Sequence, residues 1–199
     1  MIDDQFAPLT DRILAAIRQI NDGDIRFVIN THVHGDHTGG NENLGRMGII
    51  ILARDEVRVR LITSAPEAAL PVLTYSDAIT IHLNGEDVYA FPVPPAHTDG
   101  DSYIYFRDSD VLHTGDIFRT TGFPYIDLNN GGTLQGTLEA LALAIGMAGP
   151  NTKIIPGHGG VSTRKDVTEF RDMILDVPDE EIGSVKLSGV APKFSESPG

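Results

Sequence analysis

The run His32-Val33-His34-Gly35-Asp36-His37 puts three imidazoles and a carboxylate within six residues, shortly after the apolar segment Phe27-Val28-Ile29. Neutral imidazole nitrogen and ionised carboxylate oxygen are the donors that a borderline cation such as zinc accepts, and a packed core has no use for four such groups together. The plain alternative is a solvated polar loop after a strand. A hydrolytic metal site needs further ligands from elsewhere and an open coordination position. The chain offers three: His97 in Pro94-Pro95-Ala96-His97-Thr98-Asp99-Gly100, Asp116 in Leu112-His113-Thr114-Gly115-Asp116, and His158 in Ile154-Ile155-Pro156-Gly157-His158-Gly159-Gly160. Each follows or ends a short apolar run. Strand ends that feed Gly-rich loops present ligands rigidly while leaving space for a substrate.

In ligand types, their order and the loop glycines, from about Ile2 to about His158, the chain resembles the metallo-β-lactamase superfamily of hydrolases. The resemblance implies that His32, His34 and His97 hold one cation, that Asp36, His37 and His158 hold a second, and that Asp116 bridges them. Two Zn2+ ions are the implied cofactors. In the best-known group of zinc β-lactamases a cysteine stands at the position of Asp116, whereas this chain has no cysteine at all. That departure favours a bridged dinuclear site and weakens any claim of penicillin hydrolysis. Water held between paired cations loses a proton near neutral pH, its pKa falling from about 16 towards about 7. The implied activity is therefore a zinc-dependent hydrolase in which that hydroxide attacks a carbonyl substrate: a β-lactam, a lactone or a thioester. Asp36 is the candidate catalytic residue, both as ligand and as acceptor of a hydrogen bond from the nucleophile. Two other readings stay open: a persulfide dioxygenase of the same superfamily, with one Fe2+ on two His and an Asp, and a metal-binding fragment with little turnover.

Substrate contacts are less marked. Arg119 lies three residues after Asp116, where several zinc β-lactamases similar to this chain place a Lys for the substrate carboxylate; a guanidinium could do the same bidentately. Tyr125 and Asn129 follow in a Gly- and Pro-punctuated loop, and the segment 118–132 is a natural lid. The two remaining histidines read as strand residues. His82 alternates with Ile79, Ile81 and Leu83, and His113 is placed to pack, face solvent or support Asp116 from behind.

The 199 residues, 41% hydrophobic, suffice for one domain with its own core, here taken as 1–177 followed by a polar tail over 178–199. With 15 Lys and Arg against 28 Asp and Glu, the net charge of -13 repels a phosphate backbone and argues against nucleic acid as a partner. No apolar run approaches membrane-span length and no basic segment with an apolar core opens the chain. A soluble protein acting on small molecules is the expectation. Compartment stays open, since a cysteine-free chain tolerates either redox state.

Helical spacing of Ile13, Leu14, Ile17 and Ile20 predicts a surface helix over 11–20 with Thr10 as N-cap. Short strands are predicted at 26–30 and 48–53, a helix at 54–63, and a hairpin turning at Asn84-Gly85 that leads to His97. A second hairpin, 103–106 with 111–114, leads to Asp116. A helix over 133–148, a strand at 153–155 and a helix opened by Ser162 or Thr163 follow. This alternation fits the fold implied by the resemblance, an α/β (α+β) four-layer αββα sandwich. Only 31 residues precede His32, so the first sheet is expected to lack some N-terminal strands, and a second copy of the chain is expected to cover the exposed edge. Asp3 and Asp4 would then lie near the metal loop, either steadying a ligand imidazole or simply solvated.

Overall fold

The computed structural model describes residues 1–177 and the pair 187–188. Apart from that pair, the tail over 178–199 lies outside the described residues. Among these, β1 (Phe27–Ile29), β2 (Ile50–Arg54) and β3 (Leu73–Tyr75) form a parallel sheet in that order. A single parallel bridge from Ile2 to Ile29 flanks it. The second sheet is antiparallel through β4 (Ile79–Leu83), β5 (Glu86–Pro92), β6 (Ser102–Phe106) and β7 (Val111–His113). The short β8 (Ile126–Asp127) stands apart, and β9 (Lys153–Ile155) completes the second sheet in parallel beside β7. Residues Leu187–Ser188 form β10, which pairs in parallel with β8.

Strand alternation assigns the layers, because successive side chains point to opposite faces. Val28 and Ile51 point outward and pack with Leu14 and Leu44, from helices α1 (Thr10–Ile20) and α3 (Asn41–Arg46); α2 (Gly35–Thr38) lies between these two in the chain. Their neighbours Ile29 and Leu52 point inward and meet Val88, Ala90 and Ile104 of the second sheet. On the far face of that sheet Phe91, Tyr103 and Leu112 pack beneath two helices that follow α4 (Asp55–Leu61): α5 (Leu134–Met147) and α6 (Arg164–Leu175). The layers therefore run helix, sheet, sheet, helix. Each fully buried aliphatic side chain contributes about 1.5–3 kcal/mol of transfer free energy, and the Tyr103 hydroxyl is satisfied at 2.9 Å by the Ala140 carbonyl.

The hairpin turn forms as its residues require, with φ of 58° at Asn84 and 74° at Gly85. Thr163 caps α6 in a capping box with Asp166. Two details differ from expectation. Leu9 is the N-cap of α1, and Thr10 is its first residue, with a buried hydroxyl that accepts from Asn43 Nδ2 at 3.0 Å. A preceding 3-10 turn over Ala7–Leu9 runs straight into the helix and leaves the threonine no extended position from which to cap. In α5 helical spacing predicts a packed face through Leu134, Leu138, Leu141, Ala142 and Ile145, but the buried face runs through Thr137, Ala140, Leu141 and Ala144, and Ala142 faces out. A helix apolar on most sides carries little directional signal. Beside Ile2 a cavity of about 640 Å³ opens between the sheets, lined in part by Ile17, Ile29, Ile81, Val88 and Phe106. This is the edge over which the sequence predicts a second copy.

Candidate metal centre

Loops at the ends of four strands supply the site. β1 ends at Ile29, and Asn30 Nδ2 then donates to the His37 carbonyl at 2.9 Å, closing the metal loop on itself. Asn41 Nδ2 donates in turn to Asn30 Oδ1 at 3.0 Å, so the asparagine that shapes the loop is itself fixed. Asp36 and His37 ride on the single turn α2, which begins after His34. His97 sits in the loop after β5, steadied by Asp101, whose buried carboxylate accepts from Thr98 N and Oγ1. Asp116 follows β7 on a 3-10 turn, and His158 follows β9. At Gly157 a Cβ would overlap Asp116 Oδ1, so that strand end approaches the carboxylate only because it carries no side chain.

The seven donors converge. His97 Nε2 lies 2.8 Å from His34 Nδ1 and 3.2 Å from His32 Nε2. His158 Nε2 lies 3.1 Å from both Asp36 Oδ2 and Asp116 Oδ2, and His37 Nε2 lies 3.2 Å from Asp116 Oδ1. Asp116 also reaches towards the first group, its Oδ2 standing 3.7 Å from His97 Nε2. Three overlapping sets capable of holding a cation result: His32, His34 and His97; His32, His37 and Asp116; and Asp36, His37 and His158.

The outer ring nitrogens explain which nitrogen faces inward. His97 Nδ1 donates to the Tyr125 carbonyl, a pure acceptor, which leaves Nε2 with its lone pair in the cluster. His34 Nε2 donates to Asp127 Oδ2 at 2.7 Å, so Nδ1 faces in. His37 Nδ1 donates to Asp3 Oδ2 at 2.8 Å, and His32 Nδ1 meets Thr31 Oγ1 at 3.0 Å. Asp3 is thus a support for the cluster, accepting also from Thr31 N and Oγ1. Asp4 is buried as well and accepts from Gly40 N. With the outer protons so placed, three lone-pair nitrogens of the first group confront one another. His37 Nε2 and Asp116 Oδ1 are buried without a partner in hydrogen-bond geometry despite their close approach. Three lone pairs of the first group turned on one another, beside a buried ring nitrogen and carboxylate oxygen in close approach, are an arrangement that cations would satisfy, so the donor set fits a metal pair.

Proton affinities point the same way. Burial, reinforced by neighbouring imidazoles, holds His32 well below the ordinary histidine value; burial likewise takes His97 down to about 4. Both are neutral and able to ligate at pH 7. Burial opposes charge on His37, but the carboxylates of Asp116, Asp3 and Asp36 outweigh it and push the group up to about 12. His37 in turn holds Asp36 below the usual carboxylate range. For Asp116 burial acts upward, yet His37 prevails and the carboxyl is lowered. A strongly anionic pocket thus draws in one proton where a cation would otherwise sit.

The other candidates separate. Arg119 pairs its backbone with His158, and its Nε is buried without a hydrogen-bond partner. The Tyr125 ring stands 5.4 Å from His97 and 6.0 Å from His34, centroid to centroid. Asn129 is exposed on the turn Leu128–Asn130, and it is Asn130 that bonds Asp127. His82 is an exposed strand residue paired with Asp87, while His113 Nδ1 accepts from Gly115 N. Asp127, the partner of His34, escaped sequence reasoning. It belongs to no motif, and its only signal is an acidic residue after the apolar Ile126 inside the lid segment.

The sequence profile of the metallo-β-lactamase superfamily matches residues 5–159. Hydroxyacylglutathione hydrolase from Nitrosococcus oceani is 27% identical over 92% of this chain and 65% of its own length. A hydroxyacylglutathione hydrolase-like protein from Mus musculus is 30% identical over 67% of this chain and 45% of its own. The chain thus spans less than two thirds of these curated relatives. Among solved structures, a metallo-β-lactamase from Pontibacter korlensis superposes with a TM-score of 0.75 at 16% identity, covering 88% of this chain and 82% of that one. The DIM-1 metallo-β-lactamase does so with a TM-score of 0.72 at 17% identity, over 89% and 81%. At such identities the superpositions speak for the fold alone. With a profile covering most of its length, the chain belongs to the metallo-β-lactamase superfamily.

Proposed function

We propose that the protein is a dinuclear zinc hydrolase of small carbonyl substrates, with a thioester as the first substrate class to test. The carrying observation is the convergence of seven donors on two adjoining positions that share Asp116. Bound cations would supply a nucleophilic hydroxide near neutral pH and Lewis-acid polarisation of the carbonyl. His32, His34 and His97 would hold one, Asp36, His37 and His158 the other. The part-exposed Asp36 carboxylate, 25% accessible, is placed to accept a hydrogen bond from the attacking oxygen and orient it. The buried Asp116 fixes the spacing of the two positions. Arg119, with a buried and unpartnered Nε beside His158, is suited to anchor a substrate carboxylate. The Tyr125 ring and the loop 118–132 border the entry.

Thioester hydrolysis is favoured by the names of the two curated relatives. A β-lactam or a lactone is the second reading, and for β-lactams the support is likeness of fold. Two full donor sets speak for a metal pair over the single Fe2+ of a dioxygenase. The test couples metal quantification to a panel of a hydroxyacyl thioester, a lactone and a chromogenic lactam. Two zinc ions per chain with thioester turnover is the expected result. One iron per chain with oxygen uptake on a persulfide would overturn the proposal, and a fully loaded protein inert on the whole panel would favour the metal-binding fragment.

A further inference from the structure

We infer that Arg60, on α4 and in contact with none of the seven donors, is a positioning residue that sets one of the two cation positions selectively, acting through Asn130 and Asp127 on His34. The inference rests on the metal-hydrolase reading above and goes beyond it. The guanidinium donates through Nε and Nη2 to the two oxygens of Asp99, and through Nη1 to Asn130 Oδ1 at 2.8 Å. Arginine can only donate. It therefore settles the orientation of the Asn130 amide: the oxygen must face Arg60, and Nδ2 must face the other way. There it meets Asp127 Oδ2 at 2.6 Å, while the Asn130 backbone N–H donates to Asp127 Oδ1 at 3.1 Å. Both carboxylate oxygens are thereby tied down, and Oδ2 is held where His34 Nε2 donates to it at 2.7 Å.

The direction of that last bond decides the chemistry. It keeps the proton of His34 on Nε2 and turns Nδ1 towards His97 and His32. Were the Asn130 amide free to rotate, Asp127 Oδ2 would lose the Nδ2 donor that holds it towards His34, while the backbone N–H bond to Oδ1 would remain. The other position is supported by separate groups: His37 leans on Asp3, and His158 comes from β9 on the opposite flank. Loss of the Arg60 fork should consequently be felt at one position only. The Arg60–Asp99 pair is partly exposed, 26% and 31%, and pairs of that kind add little to global stability. Positional and structural roles thus predict different results.

The test loads the full chain stepwise with Co2+ and reads the visible absorption, then measures Zn2+ retention against a chromophoric chelator, for wild type, Arg60→Met, Arg60→Lys and Asn130→Ala. For Arg60→Met the expected result is a weakening of about 10–100-fold at one of two positions, an altered cobalt spectrum and an unchanged melting temperature of the metal-free protein. Arg60→Lys keeps the charge but not the fork, and should fall between. Asn130→Ala leaves the Arg60–Asp99 pair intact and should reproduce the loss, which decides the matter should Arg60→Met not fold. Variants that retain both ions as wild type does, or that lose both equally with a lowered melting temperature, would overturn the inference while leaving the hydrolase reading in place. A wild type that takes up neither metal would overturn both.

Discussion

The two proposed cation positions, which meet at Asp116, are built to different standards. In the first, His32 and His97 are almost wholly buried, His34 is 21% accessible, and each of the three imidazoles has its outer nitrogen engaged, by Thr31, Asp127 and the Tyr125 carbonyl. In the second, His37 is buried and held by Asp3, but Asp36 and His158 are 25% and 33% accessible. The contrast separates two requirements of a hydrolytic centre. A position fixed on every side holds its ion with little reorganisation, whereas one with accessible ligands can meet solvent and substrate and adjust during a reaction cycle.

The sharpest way to break this contrast is to remove the shared carboxylate. Asp116→Ala should empty both positions, with turnover falling by more than about 100-fold, since a lost ligand costs more than a lost supporting group; metal analysis beside activity on the panel checks it. Next come the single-position variants. His158→Ala should keep one tightly held ion, and His97→Ala should leave a protein that releases its remaining ion more readily to a chelator. Equal retention in the two variants would erase the distinction drawn here. Smaller is the effect of Arg119→Ala, which should raise KM for anionic substrates by about tenfold with kcat little changed, as for a contact made equally in ground and transition states; an unchanged KM dismisses the anchor. Smallest is a pH effect in the metal-free protein. Burial outweighs the Thr98 hydrogen bonds and raises Asp101, behind His97, to about 7. A group with a raised folded-state value binds its proton more tightly when folded, so its contribution is complete below about pH 4 and is lost as pH climbs through 7. The melting temperature of the wild type measured against that of Asp101→Asn should therefore decline as pH rises from 4 to 8, and a constant difference would dismiss this contribution.

Much of this was legible in the sequence, for definite reasons. Imidazoles and carboxylates are costly to bury without a purpose, so the run from His32 to His37 announces itself. The ends of β5, β7 and β9 carry His97, Asp116 and His158 at junctions that glycine, proline and apolar alternation mark out. Relations between segments were not legible. Asp127 matters because it touches His34, 93 residues away in the chain, and Arg60 because it reaches Asn130 across 70. Neither lies in a pattern that local chemistry would single out. The N-cap of α1 was missed for a similar reason, since only the turn ahead of it assigns Thr10 its place.

His158 hangs from β9, an edge strand of its sheet, which among the described residues pairs with β7 and is otherwise held by one bridge from Ile154 to Ser162. Peripheral strands are the first to part from a sheet as it loosens, and such sub-global openings lie below the free energy of complete unfolding. On warming, the accessible ion should depart while the interior one and most of the sandwich persist. Inactivation would then precede denaturation, and a protein cooled in time and resupplied with zinc would recover.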